Sequence, residues 1–225
     1  MALVKGLASS IQAVLDAPQP AAGAEIVADT AIFYSISNCQ RGLAGISFGN
    51  FLIKQVTESL ARDVPGVKRF STLSPIPGLM QWLRELGAAS SDPELRDDER
   101  ALLTSALDSA WDQDAELALR LRPLLLRLCA TYLLYARYGA EPRDAVARFH
   151  LRNGARLERI NWLGDRSAKG LAESAGMLVN YLYDARTVAH NHEAYVNEHA
   201  IVCAPAVEAL IGRRARVARQ SGVSG

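Results

Sequence analysis

The sequence predicts an α/β protein in which a mixed central sheet is flanked by helices and carries a helical insertion. A run of β-forming residues at 30–37 is followed at once by a glycine-rich turn and then by a helical pattern. A second strand pattern at 67–73 completes a strand, turn, helix and strand unit, which favours a right-handed parallel crossover. Residues 93–139 carry helical patterns and no strand signal, so we place the insertion at about 90–140 within one domain spanning 1–225.

Short elements precede and follow the glycine-rich turn. Residues 2–4 resemble the middle of a strand, which predicts a sheet that is incomplete at its amino-terminal edge, and residues 9–16 are typical of a short helix. The helix that starts near Ile46 is expected to end at the Val-Pro-Gly sequence of residues 64–66. Its apolar residues recur every four positions and therefore form one stripe facing the sheet: Phe48, Leu52, Val56 and Leu60.

The second half of the chain continues with helices and strands. Ser74 begins a Ser-Pro-Ile-Pro-Gly string, and because a residue before proline is disfavoured in the helical region, we expect Ser74 to be extended at the end of a strand. The further predicted elements are helices at 79–86 and 144–149, a strand at 156–163, a short helix between its cap Ser167 and its stop Gly176, a strand at 177–183 and a final helix at 193–213.

Composition excludes several classes of function. The 25 Lys and Arg residues nearly balance the 24 Asp and Glu residues, so no overall positive field is present to attract nucleic acid or an anionic membrane. The most apolar stretch, residues 117–138, contains too many charges for a membrane span. Cys39, Cys129 and Cys203 are odd in number and widely spaced, without a secretory leader, so we expect a reducing compartment, the cytoplasm.

The glycine-rich turn is a candidate site for phosphate. It lies between a strand and a helix amino terminus, where free main-chain N–H groups and the helix dipole attract anions. It departs from both the dinucleotide fingerprint and the P-loop, and a tight connection is the alternative interpretation. The turn consists of Gln40, Arg41, Gly42, Leu43, Ala44 and Gly45.

This turn resembles the pyrophosphate loop of the acetyltransferase (GNAT) superfamily, with an offset of one residue. Three longer strings resemble malonyl-CoA decarboxylase: AIFYSISNCQRGLAGISFGNFLIKQV, FSTLSPIPG and FHLRNGARLERINWLGDRSAKGLAESAGMLVNYLY. The resemblance runs from about Leu3 to Leu210 and is weakest at residues 90–114. It implies a GNAT-like catalytic domain that lacks the family's amino-terminal helical domain, and coenzyme A recognition by main-chain donors of residues 41–45.

The resemblance also implies the reaction, the conversion of malonyl-CoA into acetyl-CoA and carbon dioxide. The family's serine falls on Ser74 and its histidine on His150, with a tyrosine at Tyr183. Loss of carbon dioxide leaves negative charge on the thioester oxygen. His150, with an ordinary pKa near ~6.5, is expected to donate a proton and to act as an electrostatic partner, and Ser74 is expected to position the substrate by a hydrogen bond. Some members have an acidic residue where this chain has Ser47.

Other interpretations stay open for these residues. Taken alone, His150 is typical of a structural histidine, Ser74 of a turn residue and Tyr183 of a buried aromatic. Polar groups beside them could line the acyl pocket or satisfy the main chain: Arg152, Asn153 and Asn161. The HxH pattern of His190 and His192, and also His199, is expected to be solvated rather than to bind metal.

Two other classes of function are the alternatives. The first is a coenzyme A-dependent acyltransferase, and the second is a noncatalytic fragment that binds coenzyme A. We predict no separate cofactor, since coenzyme A is part of the substrate. The expected partners are malonyl-CoA and acetyl-CoA, with no nucleic acid and no membrane, and the full-length protein is expected to form a homo-oligomer.

Overall fold

The structure, a computed structural model, describes residues 1–17, 28–34, 55–57, 59–60, 62–89, 95–107 and 110–220, with the main chain alone described for 213–220. Its strands are β1 (Ala2–Val4), β2 (Thr30–Phe33), β3 (Arg69–Thr72), β4 (Arg137–Tyr138), β5 (Glu141–Pro142), β6 (Arg156–Asn161) and β7 (Leu178–Tyr183). Its longer helices are α1 (Ile11–Leu15), α2 (Leu79–Ala88), α3 (Asp97–Leu107), α4 (Ala115–Tyr135), α5 (Ala145–Arg152), α6 (Ala168–Ser174), α7 (Val188–Glu198) and α8 (Pro205–Gln220).

One sheet joins five strands in the order β1, β2, β3, β7, β6. β2 and β3 run parallel, with Thr30 opposite Arg69 and Phe33 opposite Thr72. The other neighbouring strands in this sheet pair antiparallel. The sheet is therefore mixed and helices flank it, which confirms the predicted fold class. β4 and β5 form a separate hairpin that the sequence patterns did not indicate.

The alternation of side chains along β7 separates two hydrophobic layers. Tyr181 and Tyr183 belong to the main core, to which α2, α4 and α5 also contribute. Leu178 joins Ile32 and Leu73 in a smaller cluster covered by α1. Every residue of β7 is buried, as expected for a strand that is covered on both faces. Because a fully buried large apolar side chain stabilises a fold by about 1.5–3 kcal/mol, this interior strand contributes strongly to the stability of the sheet.

A polar network on the second face ties the amino-terminal segment to the sheet. Asn161 Nδ2 donates to Asn180 Oδ1 over 2.9 Å, and Arg159 Nε donates to the same oxygen over 3.1 Å. Arg159 also donates to the carbonyl oxygens of Leu7 and Ala8, each at 2.9 Å. Asn161, whose role the sequence left open, therefore belongs to the packing of β6 and β7.

Helix α5 ends in a hydrogen-bonded turn that sets the direction of the following strand. The Ala155 N–H donates to the carbonyl of His150 over 3.1 Å, and the Gly154 N–H donates to that of Leu151 over 2.9 Å. This is the Schellman pattern, and Gly154 takes the left-handed conformation that it requires, with φ 77°. The Asn191 side chain donates to the carbonyl of Gly154 over 3.2 Å, which ties the turn to α7.

The prediction of one final helix at 193–213 is wrong. α7 ends at His199, which has a φ of 53°, and α8 begins at Pro205, a residue suited to the first turn of a helix. Between the two helices, the chain runs beside the edge of β6. Leu157 N–H donates to Val202 O over 3.0 Å, and Ala204 N–H donates to Leu157 O over 2.9 Å. This long-range pairing interrupts a pattern that was continuous in the sequence.

We expect Gly154→Ala to destabilise the fold more than Gly139→Ala. The two glycines have φ values of 77° and 61°, so each substitution carries the strain of the left-handed region, about 1–2 kcal/mol. A Cβ at position 154 would also clash with the carbonyl oxygen of Val188, whereas one at position 139 would have no described heavy atom within 4 Å apart from its chain neighbours. Urea unfolding should show about 1–3 kcal/mol more loss for Gly154→Ala. Equal losses would contradict tight packing of this turn against α7.

Candidate active site

Ser74 is held by main-chain pairing just beyond the end of β3. Its N–H donates to Val179 O over 2.9 Å, and its carbonyl accepts from the Val179 N–H over 2.8 Å. The next part of the string is also fixed, because the Ile76 N–H donates to Ser174 Oγ over 3.0 Å. Ser74 is therefore extended at a strand end, as its position before Pro75 predicted.

His150 is placed by the amphipathic helix α5. Asp144 caps the start of this helix, with its Oδ1 accepting from the Ala147 N–H over 2.8 Å. Ala147, His150 and Leu151 form the buried stripe of the helix, at the spacing that places residues on one face. Burial raises the pKa of Asp144 above its ordinary value, although neighbouring main-chain amides partly oppose this effect. The cap and the buried stripe together direct the imidazole toward the sheet.

Three predicted site residues meet in one hydrogen-bonded row. Ser74 Oγ lies 3.1 Å from His150 Nε2, and His150 Nδ1 lies 2.8 Å from Tyr183 Oη. The imidazole stacks on the ring of Tyr181, with centroids 4.5 Å apart and an interplanar angle of 23°. The relative exposure is 6% for Ser74, 2% for His150 and 6% for Tyr183, so these hydrogen bonds form almost entirely out of water.

Burial changes the protonation expected for this row. Loss of water lowers the pKa of His150 to about 3, because a cation is disfavoured away from solvent. The same cause raises the pKa of the Tyr183 hydroxyl. Burial therefore moves the pKa of His150 away from the expected value near 6.5, and the role of His150 as proton donor and electrostatic partner stays a prediction. The imidazole is neutral at physiological pH, with one N–H and one acceptor nitrogen.

Ser74 and His150 open on a cavity of about 390 Å³. The cavity lies at the carboxyl ends of the parallel strands β2 and β3, the edge where ligands bind in open α/β sheets. Most of its wall is apolar, and no lysine or arginine is found among its described lining residues. Those residues are Phe33, Tyr34, Leu73, Ser74, Pro75, Ala145, Val146, Phe149 and His150.

Of the remaining predicted positions, some lie outside the described residues and others lie apart from the row. The whole Gln40–Gly45 turn and Ser47 are outside the described residues, so phosphate binding by residues 40–45 stays a prediction. Arg152 pairs with Glu141 over 3.1 Å, and Asn153 ends α5. Neither belongs to the described lining of the cavity that contains Ser74.

The sequence analysis missed several residues that support the row. Tyr181 lies against one face of the imidazole, and Thr72 Oγ1 lies 2.9 Å from Ser74 Oγ. The spacing in the sequence could have indicated both residues, because residues two apart in a strand lie on the same face of the sheet. Thr72 is two positions from Ser74, and Tyr181 is two positions from Tyr183. Asp144 also had a signal, because aspartate is favoured immediately before a helix.

The fold and the site define the class of this chain: a mixed α/β protein with a buried Ser–His–Tyr row at the wall of an apolar cavity. The family model described as the malonyl-CoA decarboxylase C-terminal domain matches residues 1–221. The chain therefore belongs to the malonyl-CoA decarboxylase family.

Relatives of known identity agree with this membership. The chain is 38% identical to the mitochondrial malonyl-CoA decarboxylase of Anser anser anser, over 95% of the chain and 46% of the relative. The solved malonyl-CoA decarboxylase from Rhodopseudomonas palustris has a TM-score of 0.85 and 46% identity, covering 92% of this chain and 48% of that one. The Agrobacterium vitis structure has a TM-score of 0.85 and 45% identity, covering 94% and 52%. The chain spans about half the length of these relatives.

The expected cytoplasmic location is contradicted by the curated relatives. The goose protein and the rat and mouse proteins are all named as mitochondrial malonyl-CoA decarboxylases. The cysteine pattern argued against an oxidising compartment, and it carries no signal that separates the cytoplasm from other reducing compartments.

The described residues offer neither a membrane-spanning helix nor a cluster of metal ligands. None of the described helices is both long and apolar enough to cross a membrane. Within the same described ranges, no group of three or more metal-ligating side chains was found. In the HxH segment, His192 Nδ1 lies 2.5 Å from the carbonyl oxygen of Arg152.

We expect the buried histidine to make stability depend on pH. Below about pH 6.5 the unfolded chain binds a proton at His150 that the folded chain binds only near pH 3. Stability should therefore be fully present above 6.5 and fall as the pH decreases toward 3. The slope is at most about 1.4 kcal/mol per pH unit, which gives up to about 2 kcal/mol between about pH 7.5 and about pH 5.

Urea unfolding at these two pH values measures the effect. His150→Asn should lose this part of the pH dependence, whereas His190→Asn, at an exposed position, should retain it. The same pH dependence in all three proteins would contradict a neutral, buried His150.

Proposed function

We propose that this chain carries the active site of a malonyl-CoA decarboxylase, which converts malonyl-CoA into acetyl-CoA and carbon dioxide. The observation that carries the proposal is the buried row of Ser74, His150 and Tyr183 at the wall of an apolar cavity. Membership of the family indicates malonyl-CoA as the substrate. The row contains the hydrogen-bonding groups that the reaction needs.

The reaction breaks the bond between the carboxylate carbon and the adjacent carbon of the malonyl group. The electron pair of that bond moves into the adjacent carbon and the thioester oxygen, and neutral carbon dioxide leaves. The carbon then takes up one proton, so no oxidant or reductant is needed. Catalysis therefore requires a donor to the developing enolate oxygen and a source of one proton.

The apolar cavity wall favours the loss of charge from the carboxylate. A carboxylate that enters between Leu73, Val146 and Phe149 gives up part of its hydration. The charge spreads toward the thioester oxygen as carbon dioxide forms, which relieves the unfavourable placement of a localised anion in an apolar site.

Ser74 is the proposed hydrogen-bond donor to the substrate. Its main chain is fixed by Val179, so its hydroxyl occupies a defined position at the cavity wall. A donor held in this way stabilises the enolate oxygen without reorganising during the reaction. It also holds the thioester plane at a constant angle to the breaking bond.

His150 is the proposed source of the proton, as a neutral acid rather than as a cation. A thioester enolate is a strong base, so a neutral N–H or O–H group of the row can protonate its carbon. As the ring N–H proton of His150 moves to the carbon, the Tyr183 hydroxyl gives its own proton to the other ring nitrogen, to which it is hydrogen-bonded, so the imidazole stays neutral and Tyr183 carries the negative charge. A proton from water then restores the row after acetyl-CoA forms.

The Gln40–Gly45 turn is the proposed site for the pyrophosphate of coenzyme A. Phe33 and Tyr34 line the cavity immediately before the segment that contains this turn. The six residues that follow Tyr34, ending at Gln40, extend the chain by at most ~20–22 Å, so the turn starts within reach of an extended ligand whose acyl end occupies the cavity. Kinship to the GNAT fold, a role in fatty-acid and malonate metabolism, and self-association of the full-length protein are part of the same proposal.

The low basicity of the histidine weighs against acyl transfer to an amine. Transfer usually requires a base that removes a proton from the acceptor, and burial lowers the pKa of His150 to about 3. A base this weak does not deprotonate an ammonium group effectively at neutral pH. The decarboxylase proposal needs no such base.

We expect the chain to release carbon dioxide from malonyl-CoA and form acetyl-CoA in equal amounts. Ser74→Ala should lower kcat by about 10²–10³, the usual effect of removing a donor to a developing oxyanion, and His150→Asn by about 10²–10⁴, the range for general acid catalysis. Released carbon dioxide and chromatography of the coenzyme A products measure the rates.

Ser105→Ala is the matched control, because Ser105 is an exposed serine on α3. It should keep the activity of the parent chain. An active parent whose Ser74→Ala and His150→Asn variants retain full turnover would refute the site, and a folded parent without decarboxylation would refute the proposed activity of this chain.

A further inference from the structure

The side chain of Thr72 is a fourth member of the hydrogen-bonded row and lies next to Ser74. Its side chain is completely buried, with a relative exposure of 0%. Thr72 Oγ1 lies 2.9 Å from Ser74 Oγ. The positions of the two oxygens alone fit Ser74 as the donor, but a hydroxyl proton rotates, so the direction depends on the other partners of each oxygen. Thr72 Oγ1 also accepts the Tyr181 N–H over 3.2 Å.

The direction of each hydrogen bond follows from the two ends of the row. At one end, Thr72 Oγ1 already accepts the main-chain N–H of Tyr181. Among the described residues, Ser74 Oγ is the acceptor within reach of the Thr72 hydroxyl proton. At the other end, the described part of the chain offers His150 Nδ1 as the acceptor for the Tyr183 hydroxyl. A buried donor that lacks an acceptor is strongly unfavourable. Both terminal hydroxyls therefore donate inward, Thr72 to Ser74 and Tyr183 to His150.

The ring proton of His150 is placed by the same argument. Because Nδ1 accepts from Tyr183, the single proton of the neutral imidazole is on Nε2. The Nε2–H then donates to Ser74 Oγ over 3.1 Å. Ser74 Oγ thus accepts from Nε2–H and from Thr72, which occupies both lone pairs of a hydroxyl. Its own proton has no acceptor within the row and points to the cavity that Ser74 lines.

We propose that Thr72 is a positioning residue that, with Tyr183, turns the Ser74 hydroxyl proton toward the cavity and its ligand. The inference rests on the proposed function for the identity of that ligand, the thioester oxygen of malonyl-CoA. This direction of the hydroxyl proton also distinguishes Ser74 from a nucleophilic serine. A nucleophilic serine gives its proton to the histidine, whereas here Nε2 already carries a proton and cannot accept one.

The arrangement predicts the tautomer of His150 without any variant. Nitrogen-15 NMR of the whole chain with labelled histidine should show the Nε2–H tautomer at neutral pH, with the signal assigned by its loss in His150→Asn. The Nδ1–H tautomer would overturn the proposal. In Tyr183→Phe the donor to Nδ1 is absent, so the Nδ1–H form should become populated, and an unchanged spectrum would count against the inward direction.

Kinetics of Thr72 variants test the positioning role itself. Thr72→Val keeps the shape of the side chain and removes its donor, so kcat for malonyl-CoA should fall about 10-fold, with KM changed less than about 2-fold. Thr72→Ser keeps the donor and should recover kcat to within about 3-fold of the parent chain. Full activity of a folded Thr72→Val, or equal impairment of Thr72→Ser and Thr72→Val, would overturn the proposal.

The two measurements separate this inference from the proposed function. An inactive parent chain with the Nε2–H tautomer would refute the decarboxylase proposal and support the arrangement of the row. An active parent chain with the Nδ1–H tautomer would support the decarboxylase proposal and refute the arrangement of the row. If Thr72→Val does not fold, because the Tyr181 N–H loses its acceptor, the parent tautomer and Thr72→Ser still decide.

Discussion

The buried hydrogen bond between Ser74 and His150 is the constraint on which the rest of this structure depends. The two residues are 76 positions apart in the chain, and their side-chain atoms meet at 3.1 Å. Neither element could hold this distance alone. β7 fixes Ser74 through Val179, and the caps of α5 fix His150, so the geometry of the site depends on the register of the sheet and on the ends of one helix. A change that disturbs the packing of the sheet or of α5 should therefore also change the distance between Ser74 and His150.

Burial also determines the kind of chemistry that the site can perform. A histidine with a pKa of about 3 supplies no positive charge at neutral pH and is a weak base. It offers instead a neutral N–H group, the proposed source of the proton, and a fixed direction for hydrogen bonds that is set by Tyr183 on one side and Ser74 on the other. The apolar cavity wall fits the proposed reaction, since a decarboxylation gains from removing water around the carboxylate and needs a neutral donor at the thioester oxygen. The row and the cavity are therefore consistent with one reaction type.

The sequence predicted most of the fold and the members of the row, but not their protonation. β2, β3 and β7 were recognisable from bounded runs of apolar and β-branched residues, and the string around Ser74 indicated an extended strand end. The break between α7 and α8 was missed because it depends on pairing of residues 202–204 with Leu157, a long-range contact that leaves the local pattern helical. The low pKa of His150 was missed for a similar reason. Burial of an imidazole depends on Tyr181 and the surrounding core, which are distant in the chain.

A crystal structure of the chain with a malonyl-CoA analogue that cannot lose carbon dioxide tests the central claim most directly. We expect the acyl carbonyl oxygen to lie within hydrogen-bond distance of Ser74 Oγ, the carboxylate to be enclosed by the apolar wall beside His150, and the pyrophosphate to contact the main chain of residues 40–45. An acyl group bound away from Ser74 and His150, with the cavity between β2, β3 and α5 left unused, would contradict it.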